Sequence, residues 1–366
     1  MSLVVFPFKE EDVSVVAANL KTAAAHDRVD EVWAVAAAEG AAMADVDEAA
    51  TEVGTAIGTP VSVFPQERIG IYRSGKGDGM NTAIALAAER GFDRTHFYDA
   101  DITNFDTTWI DGAEHAADRG YGVVRHRFPR AATDAMITWM VTRPGLAHRF
   151  PGTLLPRLGQ PLGGEILLNR DAVEALAGKK SVRQRSDWGI DTVITHATAL
   201  LDLGIYEHNA PDGKRHALYG SLTDIRDMVL ECLDAVARLE GAPDPAVGFD
   251  SDPPSEVPAD LKETVAYDVS ATRRSIDQPI SEEERAIFHS LGLDPSGPIV
   301  VDDRLWKRLL PQLLVRFDLT DHAWRGVVFR LWVERVIHYT THQVPLGYDA
   351  AMVYLEETVQ AFEHPG

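Results

Sequence analysis

The first half of the chain alternates short apolar segments with amphipathic ones, and this alternation restricts the fold more than any other feature. Residues 2–6, 32–38 and 61–64 are predicted to be buried strands, and helices are predicted over about 12–26 and 41–57. Strands that alternate with helices predict an α/β fold with a mainly parallel sheet and helices on both faces. Ligands of such sheets bind at the carboxyl ends of the strands.

An Asp-x-Asp motif follows the next predicted strand, at the position where a sheet of this kind binds ligands. The apolar run 96–98 leads directly into Asp99-Ala100-Asp101. If the strand continued, its period of two would point both carboxylates the same way. Two hard oxygen donors suit a divalent cation, and a cation suits a diphosphate. Because isolated Asp-x-Asp motifs are also common in solvated turns, the motif alone leaves both readings open.

A glycine-rich loop with one lysine precedes the helix that leads to this strand. Residues 73–81 contain three glycines and Lys76, so backbone N–H groups and an ammonium could approach a phosphate there. The loop is not a Walker A motif, because Gly77 follows the lysine where Ser or Thr is required. It does not open the first βα unit, as the dinucleotide fingerprint does. A flexible turn followed by a helix cap is the alternative.

Further polar residues are candidates for ligand contacts later in the same half. Arg125, Arg127 and Arg130 form a basic island that could bind a carboxylate, or could make surface ion pairs. A helix is predicted from Thr133, shortly after this island. The pair Gly163-Gly164 allows close backbone approach to a ligand. Residues 187 and 191, both Asp, are one helical turn apart and can share a face. The imidazole of His216 could be a further metal ligand beside carboxylates.

Composition restricts the partners of the chain. Its 366 residues carry 35 basic and 56 acidic side chains, for a net charge of −21, which argues against nonspecific binding to nucleic acid or anionic membranes. The only cysteine, Cys232, excludes an internal disulfide and fits a reducing compartment. With no apolar run of transmembrane length and no signal peptide, the sequence predicts a cytoplasmic protein.

The second part of the chain is predicted to be helical. A long helix over 222–239 is followed by a Pro- and Asp-rich segment, 241–258, which is predicted to be a linker. Apolar residues spaced three and four apart then predict four helices, over 281–291, 302–316, 321–343 and 348–362. We therefore predict a catalytic α/β domain over 1–220 and a smaller helical domain over 221–366, with homo-oligomerisation through the helices as a possibility.

Taken together, these motifs resemble the mannosylglycerate synthase family of GT-A-type glycosyltransferases. The resemblance is strong over residues 1–232 and looser in the helical part, where 347–349 still fits. The motifs that carry it are Pro7-Phe8-Lys9, the loop 75–81, the Asp-x-Asp run 96–103, the segment 133–140, Pro161-Leu162-Gly163-Gly164-Glu165 and the run 185–191.

The resemblance implies an activity and a set of site residues. The family transfers mannose from GDP-mannose to D-glycerate with retention at the anomeric carbon, and so makes a compatible solute. A divalent metal, Mg²⁺ or Mn²⁺, would be held at the diphosphate by Asp101 and His216. The implied nucleotide-sugar contacts are Pro7, Phe8, Lys9, Glu10, Glu11, Val35, Gln66, Lys76, Asp99, Ala100, Ala217 and Tyr219. The implied acceptor contacts are Arg130, Ala131, Ala132, Thr138, Leu162 and Asp191.

Two features qualify this assignment. Glu10-Glu11 stands where the family has a His-containing stretch, so the recognition of the base differs there. Retention by double displacement needs a well-placed carboxylate nucleophile, for which Asp191 and Glu165 are candidates. Front-face attack guided by the departing phosphate is equally compatible with the sequence. We assign the catalytic role of Asp191 to positioning.

Three alternatives are compatible with parts of the sequence. The first is a related glycosyltransferase that uses GDP-glucose or UDP-glucose, or a phosphoglycerate acceptor that would need more cations near Arg130. The second is a sugar-nucleotide pyrophosphorylase, whose first βα loop would be glycine-rich, unlike Pro7-Phe8-Lys9-Glu10. The third is a noncatalytic interaction protein, which is disfavoured by the intact residues Lys76, Asp99, Asp101 and His216.

Overall fold

The chain forms two compact units in a computed structural model that describes residues 1–37, 42–216 and 222–363. The described parts of Met1–Pro129, Leu162–Ala217 and Pro243–Glu256 form the sheet unit. Those of Arg130–Pro161, Leu218–Ala242 and Val257–Gly366 form the helical unit. The compact units therefore do not follow a single boundary near residue 220, and the division into functional domains stays a prediction.

An eight-stranded sheet is the centre of the sheet unit, with strand order β3-β2-β1-β4-β6-β5-β7-β8. Its strands are β1 Ser2–Phe8, β2 Glu31–Ala36, β3 Val61–Pro65, β4 Arg94–Phe97, β5 Val123–Arg127, β6 Ile166–Asn169, β7 Ile205–Asn209 and β8 Phe249–Ser251. Only β6 runs antiparallel to its neighbours, β4 and β5, so the prediction of a mainly parallel sheet is confirmed. The first two strands are buried almost throughout, as parallel strands covered on both faces must be.

Helices occur in both units, along almost the whole length of the chain. They are α1 Val13–Ala24, α2 Met43–Ile57, α3 Lys76–Arg90, α4 Thr107–Asp118, α5 Arg143–Arg149, α6 Arg170–Gly178, α7 Lys180–Gln184, α8 Ile190–Ala199, α9 Arg226–Ala237, α10 Ala259–Glu263, α11 Val269–Ile276, α12 Glu282–Ser290, α13 Asp303–Arg316, α14 His322–His342 and α15 Tyr348–Glu363. A π-helical turn, Thr138–Thr142, runs directly into α5. Side-chain caps define several starts: Asp12 accepts from the Ser14 amide at 2.8 Å and Asp106 from the Thr108 amide at 2.7 Å.

Three predicted boundaries are wrong, each for a physical reason. The first strand continues through Pro7 and Phe8, because β2 pairs with them while β4 pairs only with residues 2–5. The helix predicted from Thr133 begins at Met136, after an irregular segment. The predicted linker 241–258 contains β8, which adds to the edge of the sheet by pairing with β7.

The helical unit has a core of its own. Trp306, Leu309 and Trp332, from α13 and α14, are almost completely buried. The Trp306 indole N–H donates to the Met140 carbonyl at 2.9 Å, which ties α13 to the π-helical turn. In the described part of the chain, no helix combines the length and apolar character needed to cross a bilayer.

Backbone segments pack closely where α3 begins, and this packing generates a stability prediction. A Cβ added at Gly77 would lie 2.5 Å from the Arg185 carbonyl oxygen, whereas a Cβ at Gly178 would meet nothing within 4 Å. We expect Gly77→Ala to lower the free energy of unfolding by about 1–3 kcal/mol through overpacking. The matched variant Gly178→Ala should be neutral or slightly stabilising. Chemical denaturation of both measures this, and equal stability of the two variants would contradict the packing argument.

Candidate active site

A cluster of lysines and carboxylates lies at the carboxyl edge of the sheet. The Lys76 ammonium lies 2.7 Å from Asp99 Oδ1 and 3.0 Å from Asp191 Oδ2. The Lys214 ammonium lies 2.5 Å from Asp99 Oδ2 and 2.6 Å from Glu165 Oε1. Asp99 is thus held by two ammonium groups, and each lysine also contacts a second carboxylate. We call these five residues the charge network.

Each member of the charge network comes from a different element of the sheet unit. Lys76 is the first residue of α3, Asp191 the second residue of α8, and Asp99 follows the end of β4 by two residues. Glu165 directly precedes β6, and Lys214 lies in the loop after β7. The fold therefore assembles a site from residues that are far apart in the sequence.

Burial and charge act in opposite directions on the pKa values of these groups. Burial would raise the pKa of Asp99, but the ammonium groups of Lys214 and Lys76 hold it well below its usual range. Burial raises the pKa of Glu165, an effect that Lys214 opposes, and likewise raises that of Asp191, which Lys76 opposes. For Lys76, burial would lower the pKa, yet Asp191 and Asp99 raise it above its ordinary value, so the lysine stays charged.

Arg125 contributes a third cation, which changes the interpretation of the predicted basic island. Its guanidinium is almost fully buried, Nη2 donates to the Gly163 carbonyl at 2.7 Å, and its charge acts on Asp191 and Glu165. Arg127 instead donates to the Asp252 carbonyl at 3.0 Å. Arg130, in the helical unit, pairs with Asp134 at 2.8 Å. The three arginines therefore have different partners: Gly163, Asp252 and Asp134.

The neighbours of Gly164, in the glycine pair before β6, explain why this position has no side chain. A Cβ on Gly164 would lie 2.3 Å from Lys76 Nζ and 2.5 Å from Asp99 Oδ1. The close approach that the sequence predicts toward a ligand is therefore an approach to the Lys76–Asp99 ion pair. Any larger residue at this position would separate the two charges.

The Asp-x-Asp motif forms a turn, so the condition under which its two carboxylates would point the same way is not met. Strand β4 ends at Phe97, and the buried amide of Asn19 donates to the carbonyls of Ala100 and Ile102 at 3.1 and 3.0 Å. As a result, Asp99 enters the charge network while Asp101 lies half-buried near Glu11. Burial raises the pKa of Glu11, and the charge of Asp101 adds to this increase.

The loop that carries His216 is tied to the segment that follows Asp101. The Asn104 amide donates to the Gly213 carbonyl at 2.8 Å and its oxygen accepts from the Arg215 amide at 2.8 Å. The Thr103 amide donates to the Arg215 carbonyl at 2.8 Å. Residues 1–37, 42–216 and 222–363 contain no group of three or more His, Cys, Asp and Glu side chains arranged to hold a metal. A metal at Asp101 and His216 would thus take its other ligands from substrate and water, as Mg²⁺ commonly does.

Three of the predicted nucleotide contacts surround Gly79 in α3. A Cβ at this glycine would meet Gln66 Oε1 at 3.2 Å, Pro7 Cβ at 3.5 Å and Val35 Cγ1 at 3.9 Å. Pro7 and Val35 are also register partners in β1 and β2, and Gln66 Nε2 donates to Ser74 Oγ at 3.2 Å. A side chain at Gly79 would crowd Gln66, so the glycine allows α3 to pack closely against residues that sequence analysis assigns to the same ligand.

The other predicted nucleotide contacts have different surroundings. Phe8 packs in the core of the sheet unit, and Ala100 is buried, so neither side chain is open to a ligand. The side chains of Lys9 and Glu10 are exposed, and Lys9 Nζ lies 3.6 Å from Glu10 Oε1. Ala217 and Tyr219 lie outside the described residues.

Four of the predicted acceptor contacts lie in the helical unit. Arg130, Ala131 and Ala132 precede the helix that begins at Met136, and Thr138 opens the π-helical turn. Such turns occur frequently at functional sites. Leu162 belongs to the sheet unit and is partly exposed at the start of the turn before β6.

Sequence analysis missed Lys214, Asn19 and Asn104 as site residues. A lysine two positions before the candidate ligand His216 was a usable signal, because an acidic site needs compensating cations. The two asparagines had none, since a single Asn in a helix or turn has no distinctive spacing. Their roles depend on backbone carbonyls that only the folded chain brings near.

The sheet and its carboxyl edge define a class of protein. Glucosyl-3-phosphoglycerate synthase from Mycobacterium tuberculosis superposes on 67% of this chain and 81% of its own, with a TM-score of 0.53 and 20% identity. Its complex with UDP and Mg²⁺ superposes equally, at a TM-score of 0.53. At this identity the likeness concerns the fold alone: a GT-A-like α/β sheet, followed here by helices.

Sequence comparisons place the chain within that class. Family models described as the mannosylglycerate synthase GT domain and C-terminal domain match residues 2–238 and 297–359. Mannosylglycerate synthase of Rhodothermus marinus is 45% identical over 97% of this chain and 92% of its own length. That of Selaginella moellendorffii is 40% identical over 100% and 90%. The chain belongs to the mannosylglycerate synthase family and is a glycosyltransferase.

Lys214 generates a prediction about stability and its dependence on pH. Lys214→Gln removes a cation that lowers the pKa values of Asp99 and Glu165, so both values rise. A carboxyl group whose pKa is raised in the folded state stabilises the fold at low pH, where it is protonated. This stabilisation is lost as the pH rises through the raised pKa and the group becomes charged. We therefore expect unfolding free energy to fall by about 3 kcal/mol at pH 8 and by less at pH 5.

The double variant Lys214→Gln/Glu165→Gln is the matched control for this prediction. It removes one of the carboxylates that the single variant leaves uncompensated, so about half of the lost stability should return at pH 8. Thermal denaturation at both pH values measures the effect. A stability loss that is independent of pH and unchanged in the double variant would contradict charge compensation.

Proposed function

We propose that the protein transfers mannose from GDP-mannose to D-glycerate with retention, and so produces α-mannosylglycerate, a compatible solute. The observation that carries the proposal is the charge network at the carboxyl edge of a GT-A-like sheet, in a chain of the mannosylglycerate synthase family. Nucleotide sugars of α/β proteins bind at such edges. Lys76 and Lys214, held in place by carboxylates, would be preorganised donors to a diphosphate, and a bound divalent cation would supply further positive charge.

The donor would bind along β1, β2 and the start of α3. Pro7, Val35 and Gln66, around Gly79, support a nucleotide position at this end of the sheet. The ammonium group of Lys76, which contacts Asp99 here, would also contact the diphosphate and so stabilise the charge of the leaving group. The Glu11 carboxylate, in place of a His-containing stretch, can accept hydrogen bonds from the N–H groups of a base.

Mg²⁺ or Mn²⁺ fits the residues assigned to the metal. Asp101 offers a half-buried carboxylate and His216 an imidazole, on segments joined through Asn104 and Thr103. When bound there, the cation would supply Lewis-acid stabilisation of the diphosphate leaving group. The solved M. tuberculosis relative, whose complexes contain Mg²⁺ or Mn²⁺ with UDP, supports the same class of cofactor.

The acceptor would be held through its carboxylate by Arg130, with Ala131, Ala132, Thr138 and Leu162 as further contacts. A guanidinium matches a small carboxylate in shape and charge. The M. tuberculosis relative binds phosphoglyceric acid, but a phosphorylated acceptor needs additional cations. Arg125 and Arg127 are bound to backbone carbonyls within the sheet unit, which favours the unphosphorylated acceptor.

In the transfer itself, the bond from the anomeric carbon to the β-phosphate oxygen breaks and a bond to a glycerate hydroxyl oxygen forms. The hydroxyl proton would pass to the departing phosphate in a front-face attack. Asp191 would orient the reacting hydroxyl groups, since its carboxylate is already fixed at 3.0 Å from Lys76. Product formation from GDP-mannose and D-glycerate, followed by NMR at the anomeric proton, tests the proposal. A β-linked product or none would contradict it.

The metal assignment generates a prediction about Asp101. Asp101→Asn keeps the shape of the side chain but removes a charged oxygen donor, so turnover should fall at least about 100-fold. Binding of Mn²⁺ in the presence of GDP, followed by electron paramagnetic resonance, should weaken in parallel. Asp106→Asn is the matched control, because Asn caps a helix as well as Asp does. Mn²⁺ binding by Asp101→Asn at wild-type affinity would exclude this residue as a ligand.

The acceptor assignment predicts a selective effect at Arg130. Arg130→Ala removes a charge-assisted hydrogen bond, so KM for D-glycerate should rise by about 10-fold or more. Binding of GDP-mannose, measured by calorimetry, should change much less. Arg127→Ala removes a neighbouring guanidinium and should not raise KM for D-glycerate selectively. If Arg130→Ala weakens the binding of both substrates equally, Arg130 does not belong to the acceptor site.

A further inference from the structure

The segment from Arg130 to Ala135 is irregular, and part of it is strained. It precedes the helix that begins at Met136, and Ala135 has a φ of 55°, in the left-handed region that non-glycine residues rarely adopt. Such conformations persist only where the surrounding structure imposes them, and they are concentrated at ligand sites. We call residues 130–135 the acceptor segment.

Tyrosine hydroxyls from two helices of the same unit hold this segment. Tyr348, the first residue of α15, donates its hydroxyl to the Arg130 carbonyl at 2.9 Å. Tyr339, near the end of α14, donates to the Ala132 carbonyl at 2.8 Å. The backbone on both sides of Ala131 is therefore fixed by side chains that lie more than 200 positions further along the chain.

A third contact holds the middle of the acceptor segment from another direction. Thr133 Oγ1 accepts from the Ala266 amide at 2.9 Å and donates to the Thr264 carbonyl at 3.3 Å. Asp134 accepts from Arg130 Nη1 at 2.8 Å and from the Ala135 amide at 2.6 Å. The backbone of Arg130 is thus fixed by Tyr348, and its guanidinium by Asp134.

Both tyrosines are suited to act as permanent donors. Tyr339 is completely buried, and burial raises its pKa above the ordinary value, as it does for Tyr348. Neither hydroxyl can therefore lose its proton near neutral pH. Each rigid ring places its hydroxyl at a defined distance from its helix, so the position of the segment depends on that of α14 and α15.

We propose that Tyr339 and Tyr348 are positioning residues for the acceptor, through which the C-terminal helices set the geometry of Arg130 toward the acceptor carboxylate. The inference rests on the proposed acceptor role of Arg130, and extends it to residues that need not touch the substrate. It gives the helical unit a part in substrate specificity, in addition to stability. A bidentate guanidinium–carboxylate contact is sensitive to such placement because its geometry is fixed.

The variants Tyr339→Phe and Tyr348→Phe test the proposal, since each removes only a hydroxyl. KM for D-glycerate should rise by about 2- to 10-fold in each, the range expected for one hydrogen bond. Affinity for GDP-mannose, measured by calorimetry, should stay within about twofold of the wild type. Hydrogen exchange of a peptide covering residues 130–135 should become faster in the protein without substrates.

Tyr354→Phe is the matched control. Tyr354 also lies on α15, but its hydroxyl bonds to Asp303 and Arg335 instead of the acceptor segment. Its ring stacks on that of Tyr339, and Tyr354→Phe keeps this ring contact. This variant should leave KM for D-glycerate unchanged, even if it lowers the melting temperature. A rise in KM equal to that of Tyr348→Phe would reduce the effect to general destabilisation and overturn the proposal.

Hydrogen exchange separates failure of this inference from failure of the proposed function. If the wild type does not use D-glycerate, the proposed function fails, whatever the tyrosine variants do. If the wild type uses it but the segment 130–135 exchanges at the same rate in all variants, the tyrosines do not position the segment. Tyr348→Phe in an Arg130→Lys background should add less to KM than in the wild type, and full additivity would also overturn the proposal.

Discussion

The candidate active site depends on Asp99 being held between two ammonium groups. A carboxylate at the edge of the sheet, close to Glu165 and Asp191, would be strongly disfavoured as a charged group without Lys76 and Lys214. Arg125, whose charge acts on Asp191, Glu207 and Glu165, adds a third cation to this largely buried group. The fold supplies this balance by converging α3, α8 and the turns beside β4, β6 and β7 on one point. The absence of a side chain at Gly164 leaves room for the contact between Lys76 and Asp99.

In a chain of net charge −21 the overall field would repel a diphosphate. At the carboxyl edge, fixed lysines offset nearby carboxylates, and a divalent cation bound there would add the positive charge that a diphosphate needs. Little reorganisation is needed when substrate charge replaces carboxylate charge around them. Asn19 and Asn104 serve the same arrangement indirectly. One shapes the turn that separates Asp99 from Asp101, and the other joins that turn to the loop of His216.

Much of the sheet unit could be predicted from the sequence, because buried strands and amphipathic helices leave periodic patterns. The order of the elements, the mainly parallel sheet and the residues Lys76, Asp99, Glu165 and Asp191 follow from these patterns and from the family resemblance. The end of β1 was not predictable, because the tolerance for Pro7 depends on how far β4 extends. The dispersal of Arg125, Arg127 and Arg130 was not predictable either, since neighbours in sequence can meet different partners. Long-range carbonyl contacts, such as those of Tyr339 and Asn19, leave no local signal at all.

We propose that the donor diphosphate and the metal bind at the carboxyl edge around Asp99. The most direct test is a crystal structure with GDP and Mn²⁺, in which the metal is located by its anomalous scattering. We expect one Mn²⁺ site, bound by the Asp101 carboxylate, the His216 imidazole and diphosphate oxygens, with Lys76 in contact with the diphosphate. Mn²⁺ bound away from Asp101 and His216, or GDP bound away from this edge of the sheet, would contradict it.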